Sequence, residues 1–496
     1  MKELPLITRA RTHADRIALR EGERTFSYSA LLEASASIAS KLLDGRSDLV
    51  QVRVGLMAPA GFDYVAIQWA IWRAGGVVVP LSVHATAPEL EHALGDSGTE
   101  IIVTSGDQVA RMAATGRRVL PVDEAMKATP CALPDIDPQR RAMILYTSGT
   151  TNKPKGVVST HANLQAQIKT LVSAWDWRVD DRIPLFLPLH HIHGIVNVLG
   201  CALWSGAMVD AFPRFEAEVV LPRVAAGAYT LFMAVPTIYA KLAALLDSER
   251  DQHETVVNGF AGMRLMVSGS AALPAKLHRQ WQALTGQVLL ERYGMTETGM
   301  ILSNPLQGER RPGSVGVPLP DVEVRLRSEH GEDIVAESEP GEIQVRGPGV
   351  FREYWQLPHV TADSFQDGWF RTGDMAVMED GYYRILGRLS VDIIKSGGYK
   401  LSALEIEAAL LDHPAIRECA VVGLADDTWG ESVAVAAALE THAASLELDD
   451  LRRWGKERLS PYKLPRHLLL VESLPRNAMG KVAKREVARM FKVPQH

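Results

Sequence analysis

Cysteine is scarce in this chain: three residues in 496, Cys131, Cys201 and Cys419, lie far apart and form no CxxC pair. That spacing excludes a disulfide framework and a zinc-thiolate site, and it fits a reducing, cytoplasmic setting. Blocks of like charge are missing as well. The formal charge of −6 comes from 59 acidic and 53 basic residues that are interspersed. Such a surface has no electrostatic footprint for nucleic acid or an anionic membrane, although a local basic pocket could still meet a small anionic metabolite. No long uninterrupted apolar run occurs either. Gly194 to Phe212 is broken by Asn197, Ser205 and Asp210, so it reads as a buried helix and strand, and no stable membrane insertion is expected. The segment Met1 to Arg20 carries charges throughout and lacks a signal-peptide core. Internal repeats and low-complexity tracts are not apparent.

What is present is a chain longer than one core usually grows, so two domains or more are expected. Short β-branched runs at Val52 to Met57, Gly76 to Pro80 and Glu100 to Thr104 alternate with helical patterns at Phe62 to Ala74 and Ala87 to Leu94. That alternation predicts βαβ units and a largely parallel sheet. Further buried strands are expected at Met143 to Tyr146, Thr230 to Val235, Arg264 to Val267 and Val288 to Leu290. Glycine and proline thicken between Gly308 and Gly349, with alternating runs at Val322 to Leu326 and Glu342 to Arg346 that predict a small antiparallel β region. Beyond Gly387 a compact α+β unit is expected: helices at Ala403 to Asp412 and Leu448 to Leu459, strands at Cys419 to Gly423, Val433 to Leu439 and Leu468 to Val471. The fold class is therefore α/β, with a large N-terminal domain over residues 1–389 and a small C-terminal domain over 390–496, divided near Arg388 to Asp392.

Several loops carry chemistry. Tyr146-Thr147-Ser148-Gly149-Thr150-Thr151-Asn152-Lys153-Pro154-Lys155-Gly156 follows a predicted strand. Its hydroxyls, glycine and lysines can wrap polyphosphate, because backbone N–H groups and ammonium charge both favour anionic oxygens; the Walker A spacing is absent. In Glu291-Arg292-Tyr293-Gly294-Met295-Thr296-Glu297, a carboxylate such as Glu297 beside a phosphate loop suits magnesium, and Tyr293 offers a flat face for a purine. Asp374, closing Arg371-Thr372-Gly373-Asp374, could accept both ribose hydroxyls. Lys481 follows a glycine turn in Pro475-Arg476-Asn477-Ala478-Met479-Gly480-Lys481; alone, such a lysine is ordinarily solvated surface.

Together and in this order, the TSGTTxxPKG loop, YGMTE, TGD, Gly387-Arg388 and PRNxMGK resemble the adenylate-forming superfamily of acyl-CoA synthetases, peptide-synthetase adenylation domains and beetle luciferases. The resemblance spans nearly the whole chain. It implies ATP, Mg²⁺ and coenzyme A, an acyl-adenylate intermediate, and a mobile C-terminal domain that works in two orientations. It implies that Thr147, Ser148, Gly149, Thr150, Thr151 and Lys155 hold phosphates. Gly269, Ser270, Ala271, Glu291, Tyr293 and Gly294 would contact the nucleotide, and Asp374 and Arg388 the ribose. Glu297 would serve the metal, with Thr296 and His191 beside the reaction, and Lys481 would bridge the substrate carboxylate and α-phosphate. Ser396, Gly397, Gly398 and Tyr399 would admit the pantetheine arm. Asn152 stands where that loop usually has glycine, and one extra residue in Arg388-Leu389-Ser390-Val391-Asp392 leaves the pivot open among Ser390, Val391 and Asp392.

Closer phrases, LPLHHIHG, FMAVPTIY, RLMVSGSAALP, ERYGMTETGM and VDIIKSGGYK, are similar to the malonyl-CoA synthetases, which implies a short dicarboxylate, malonate or methylmalonate. The acid pocket is then expected from His191, His193, Ser268, Arg292 and Met300. Arg292 is the candidate for the second carboxylate, since guanidinium forks onto carboxylate and stays charged when desolvated; the alternative is an arginine salt-bridged to Glu291. Three histidines in His190-His191-Ile192-His193 could suggest zinc, but no fourth ligand or Cys partner is evident. A ligase for a short or aryl monocarboxylate and a non-catalytic nucleotide-binding protein remain as alternatives, separated by acid profiling and by acid-dependent pyrophosphate release.

Overall fold

The computed structural model describes residues 3–147, 154–248, 253–397, 399–441, 443, 445–476 and 481–491. Its N-terminal part is built on three sheets that share one apolar core running from Leu4 to Leu319. The seven-stranded sheet runs, in spatial order, Glu353–Tyr354, Lys155–Thr160, Arg141–Thr147, Val77–Pro80, Arg53–Met57, Ile101–Thr104 and Arg118–Pro121. Pairing is parallel from Arg141–Thr147 to Arg118–Pro121 and antiparallel across Lys155–Thr160. The helix Phe62–Arg73 is buried along nearly its whole length, because it is clamped between this sheet and the helix Tyr28–Leu43. Its all-round apolar sequence follows from that placement.

A five-stranded sheet orders Leu231–Ala234, Leu265–Ser268, Leu290–Met295, Gly299–Ser303 and Val317–Pro318. The strand expected at Val288 to Leu290 in fact begins at Leu290 and continues through Arg292-Tyr293-Gly294 to Met295. Antiparallel pairing with Gly299–Ser303, in the register Arg292 to Ser303, supplies the ladder that the local sequence could not reveal. The stretch from Gly194 forms the expected buried helix and strand: a π-helix over His193–Gly200 runs into the α-helix Cys201–Ser205 and the strand Met208–Ala211 of a four-stranded sheet.

The small antiparallel region forms around Glu323–Arg327, Gly341–Arg346 and Trp369–Glu379, with Tyr382–Arg388 as the strand that leads out of it. The C-terminal part has its own sheet and its own two apolar clusters, beginning at Ile394. Ser402 joins the two parts: it caps the helix Ala403–Leu410 by accepting from the Glu405 N–H at 3.1 Å and donates to the Leu386 carbonyl. No described helix is long and apolar enough to cross a membrane.

Between the parts, Gly387 has φ +123°, and a Cβ there would fall 2.3 Å from Asp392 Cβ. Asp392 binds in two directions. Its Oδ2 accepts the Arg388 backbone N–H at 3.0 Å, and its Oδ1 lies 2.7 Å from Lys484 Nζ, which is also 2.7 Å from Glu407 Oε1. These lysine pairs are charge contacts more than directed hydrogen bonds.

Candidate active site

The strands Arg141–Thr147 and Lys155–Thr160 pair antiparallel. Ser148, Gly149, Thr150, Thr151 and Asn152 lie outside the described residues; Thr147 and Lys155 are the ends that frame them. Pairing of Glu353–Tyr354 onto Lys155–Thr160 brings Tyr354 under Lys155, whose Nζ sits 5.1 Å from the ring centroid. The Tyr354 hydroxyl donates to Glu297 Oε1 at 2.9 Å. Glu297 is 7% exposed, and burial pushes its pKa up against the opposing hydrogen bond from Tyr354. A buried carboxylate with a raised pKa is a group whose charged form a divalent cation would restore. Tyr354 was not among the residues singled out by motif: its contact to Glu297 spans 57 positions, and its only local signal is the aromatic in FREYW.

Deeper along the same face the side chains saturate one another. Asp374 and Arg388 face each other across paired strands. Arg388 Nε donates to Asp374 Oδ1 at 2.8 Å, and the Tyr293 hydroxyl donates to Asp374 Oδ2 at 2.5 Å. Burial opposes the charge on Arg388, yet the hydrogen bond and charge of Asp374 carry its pKa above the usual value. Tyr293 is thus fixed by its hydroxyl as well as offering its ring. Lys481 is drawn in from the C-terminal part. Its side chain is accessible, but it stands in a cleft whose walls, followed by Arg388 and Arg292, lower its pKa while Asp374 opposes them. His191, its ring tilted against that of His190 with centroids 4.1 Å apart, is pushed down to about 3, chiefly by burial, then by His190 and the same lysine.

The other end of the cleft is different in kind. Arg292 is 4% exposed, and its Nε and one terminal nitrogen have no hydrogen-bond partner among the described residues. It is not salt-bridged to Glu291 there; Glu291 Oε1 instead accepts the Leu273 N–H at 2.9 Å, and burial pushes that carboxyl up to about 8. Gly269 makes room for the guanidinium, since a Cβ at this glycine would lie 2.5 Å from Arg292 Cζ. Burial pushes Arg292 down to about 10. His193 Nδ1 shares a hydrogen bond with Ser270 Oγ at 3.1 Å, and its Nε2 is buried and unpartnered among the described residues, as is Ser268 Oγ. Burial, then Arg292, then His191 hold His193 neutral. Met300 is buried on the strand opposite Gly294, and Ala271 is exposed at the mouth of the loop.

The segment Ser396 to Tyr399 is not part of this assembly. It is the turn of a hairpin between Ile393–Ser396 and Tyr399–Ser402. Gly397 has φ +58° against the Trp429 ring, Tyr399 stacks on Tyr462 at 4.4 Å, and Lys400 pairs with Glu329 at 2.6 Å. Gly398 lies outside the described residues.

The family model for AMP-binding enzymes matches residues 6–355, and that for the AMP-binding enzyme C-terminal domain matches 405–481. The chain belongs to the AMP-binding enzymes. Among its relatives is the malonate–CoA ligase ACSF3, mitochondrial, of Mus musculus, 44% identical over 98% of this chain and 91% of that protein. The compartment in that name does not favour the cytoplasmic expectation. Among solved structures, ATP-bound MatB from Rhodopseudomonas palustris superposes with a TM-score of 0.90 at 34% identity, covering 99% of each chain. A malonyl-CoA ligase in a ternary product complex with methylmalonyl-CoA and AMP gives 0.71 at 38% identity, covering 96% of this chain and 100% of that one. As an AMP-binding enzyme with these neighbours, the protein has the acyl-CoA synthetase fold, with a large N-terminal and a small C-terminal domain.

Proposed function

We propose that this AMP-binding enzyme joins malonate to coenzyme A through malonyl-adenylate. One carboxylate oxygen of malonate attacks the α-phosphorus of ATP, and the bond to pyrophosphate breaks. The thiolate of coenzyme A then attacks the activated carbonyl, and AMP leaves. The observation that carries the dicarboxylate reading is Arg292, a buried guanidinium with unmet donors among the described residues. An unpaired buried charge costs several kcal/mol, so it is tolerable where the substrate brings the counter-charge. The malonate–CoA ligase relative supports the same reading.

Each residue then has a task. The distal carboxylate lies against Arg292, with His193 neutral and oriented by Ser270, while Ser268 and Met300 wall the pocket. Asp374 and Arg388 hold the ribose, Oδ1 of Asp374 still having acceptor capacity beyond Arg388 Nε while Oδ2 accepts from both Tyr293 and Arg388. Tyr293 and the turn at 269–271, braced by Glu291, border the nucleotide. The hydroxyl loop with Lys155 takes the phosphates. Mg²⁺ fits Glu297, as one carboxylate completed by phosphate oxygens and water, and would neutralise the charge of the phosphates. Lys481 offsets negative charge as the carboxylate approaches phosphorus, an effect worth roughly 10²–10³ in rate. The domains divide at 389/390, and rotation there exchanges Lys481 for the 396–400 hairpin before thioester formation. The higher likeness to ATP-bound MatB than to the product complex supports the first of these orientations for the present structure.

The test is CoA-ester formation across malonate, methylmalonate, butyrate and benzoate. Malonate is expected to have the highest kcat/KM, and a preference for butyrate would overturn the reading.

A further inference from the structure

The π-helix His193–Gly200 presents two faces of opposite chemistry. Ile195, Val196, Leu199 and Gly200 line an apolar cavity with Trp69 and Leu164 of neighbouring helices. In an i→i+5 helix a residue four positions on has completed nearly one turn. Asn197 therefore lies almost directly above His193, on the side away from that cavity. That is the side on which His193 meets Ser270 and feels the charge of Arg292.

Asn197 is fully buried, and both ends of its amide, Nδ2 and Oδ1, lack a partner among the described residues. A buried amide left without hydrogen bonds is costly, and such groups in a native fold call for an explanation. The groups gathered about His193 are short of acceptors too: Arg292 Nε, the Ser268 hydroxyl and His193 Nε2 are also unmet among the described residues. A wall this rich in unmet donors is complementary to a group with several acceptor lone pairs and no protons, which is the description of a carboxylate. Residues four apart share a face in a helix of this winding, which sets Asn197 in register with His193. Helices wound this way concentrate at functional sites.

We propose that Asn197 is a specificity-determining residue of the acid pocket, its amide donating to the non-reacting carboxylate of the substrate alongside Arg292. The inference rests on the malonate reading and adds to it a neutral donor that pairs with the charged one. Arg292 supplies the charge, and Asn197 supplies direction. Butyrate, similar to malonate in length but ending in a single methyl group, has nothing for the amide to hold.

Asn197→Leu and Asn197→Asp, compared with the wild type for kcat and KM on malonate and butyrate, test this. Asn197→Leu is expected to lower malonate kcat/KM roughly 10- to 100-fold more than butyrate kcat/KM, with the loss in malonate KM and not in ATP KM. Asn197→Asp keeps the size and shape but sets an anion beside Arg292. Malonate use should fall further than in Asn197→Leu, because the guanidinium is then neutralised from within and the substrate carboxylate repelled. Should Asn197→Leu fail to fold, the near-isosteric Asp variant alone carries the comparison. Equal losses on both acids, or a loss confined to kcat, would overturn the assignment. The wild-type acid panel is read first: an enzyme that does not prefer malonate over butyrate removes the functional reading and this inference with it, whereas a malonate-preferring enzyme whose Asn197 variants keep that preference removes this inference alone.

Discussion

The two ends of the cleft solve opposite problems with similar residues. At the end proposed for the ribose, Arg388 and Tyr293 both hydrogen-bond Asp374, so the cluster is assembled by its own contacts. At the end proposed for the acid, Arg292, His193 and Ser268 are buried with donors unmet among the described residues. The first end is preorganised and stabilises the fold. The second stores the cost of desolvation and recovers it when an anion enters, which makes charge a condition of binding. A guanidinium on one side of a cleft and a guanidinium on the other thus have opposite effects on the protein without ligand.

The strongest way to break this comparison is at Lys481, which feels both ends. Lys481→Ala should slow pyrophosphate release about 10²–10³-fold or more, while thioester formation from supplied malonyl-adenylate persists. Equal loss of both half-reactions, measured in single turnover, would contradict the two-orientation scheme. Next in size, Arg292→Ala should cost malonate about 3–5 kcal/mol in kcat/KM and butyrate far less. A common loss for both acids would make Arg292 structural.

Thermal melting of the ligand-free protein sharpens the contrast. Asp374→Asn should lower Tm, since Arg388 loses its counter-charge. Arg292→Leu should leave Tm unchanged or raise it, because a buried unpaired charge is exchanged for a side chain that packs. Malonate should then raise the Tm of the wild type and not that of the Arg292 variant. The smallest effect expected is with pH. Burial lowers the pKa values of His161, His190, His191 and His193, so the unfolded chain binds more protons than the folded one below about pH 6.5. Stability is expected to fall as pH drops from there towards about 3, the value to which His161 and His191 are pushed. Histidine-to-glutamine substitution at His161 should flatten the slope, measured by denaturant titration at several pH values.

The juxtaposition of Asp374 and Arg388 was legible in the sequence, because they sit in short motifs on strands that pair in register. So were most strands, whose β-branched runs are bounded by glycine or helix. Tyr354 was not: its role at Glu297 depends on a two-residue edge strand that no local pattern announces. The acid end was half legible. Arg292 could be named from its place beside YGMTE, but whether it paired with Glu291 depended on Glu291 being taken by the Leu273 amide. Asn197 first counted only as a break in an apolar run. In a run apolar on all sides, no local pattern tells which wall the asparagine joins.

Asp392 carries a consequence for timing. One oxygen of this carboxylate holds the backbone of the last strand before the pivot, and the other holds a lysine three residues beyond Lys481. A swing about a pivot among 390–392 would have to part the contact of Asp392 with the Arg388 backbone before the C-terminal part could travel. Such a motion would have a threshold. An enzyme built this way would pass from its first reaction to its second like an escapement, one tooth per turnover, and its lag would be set by a carboxylate that touches no substrate.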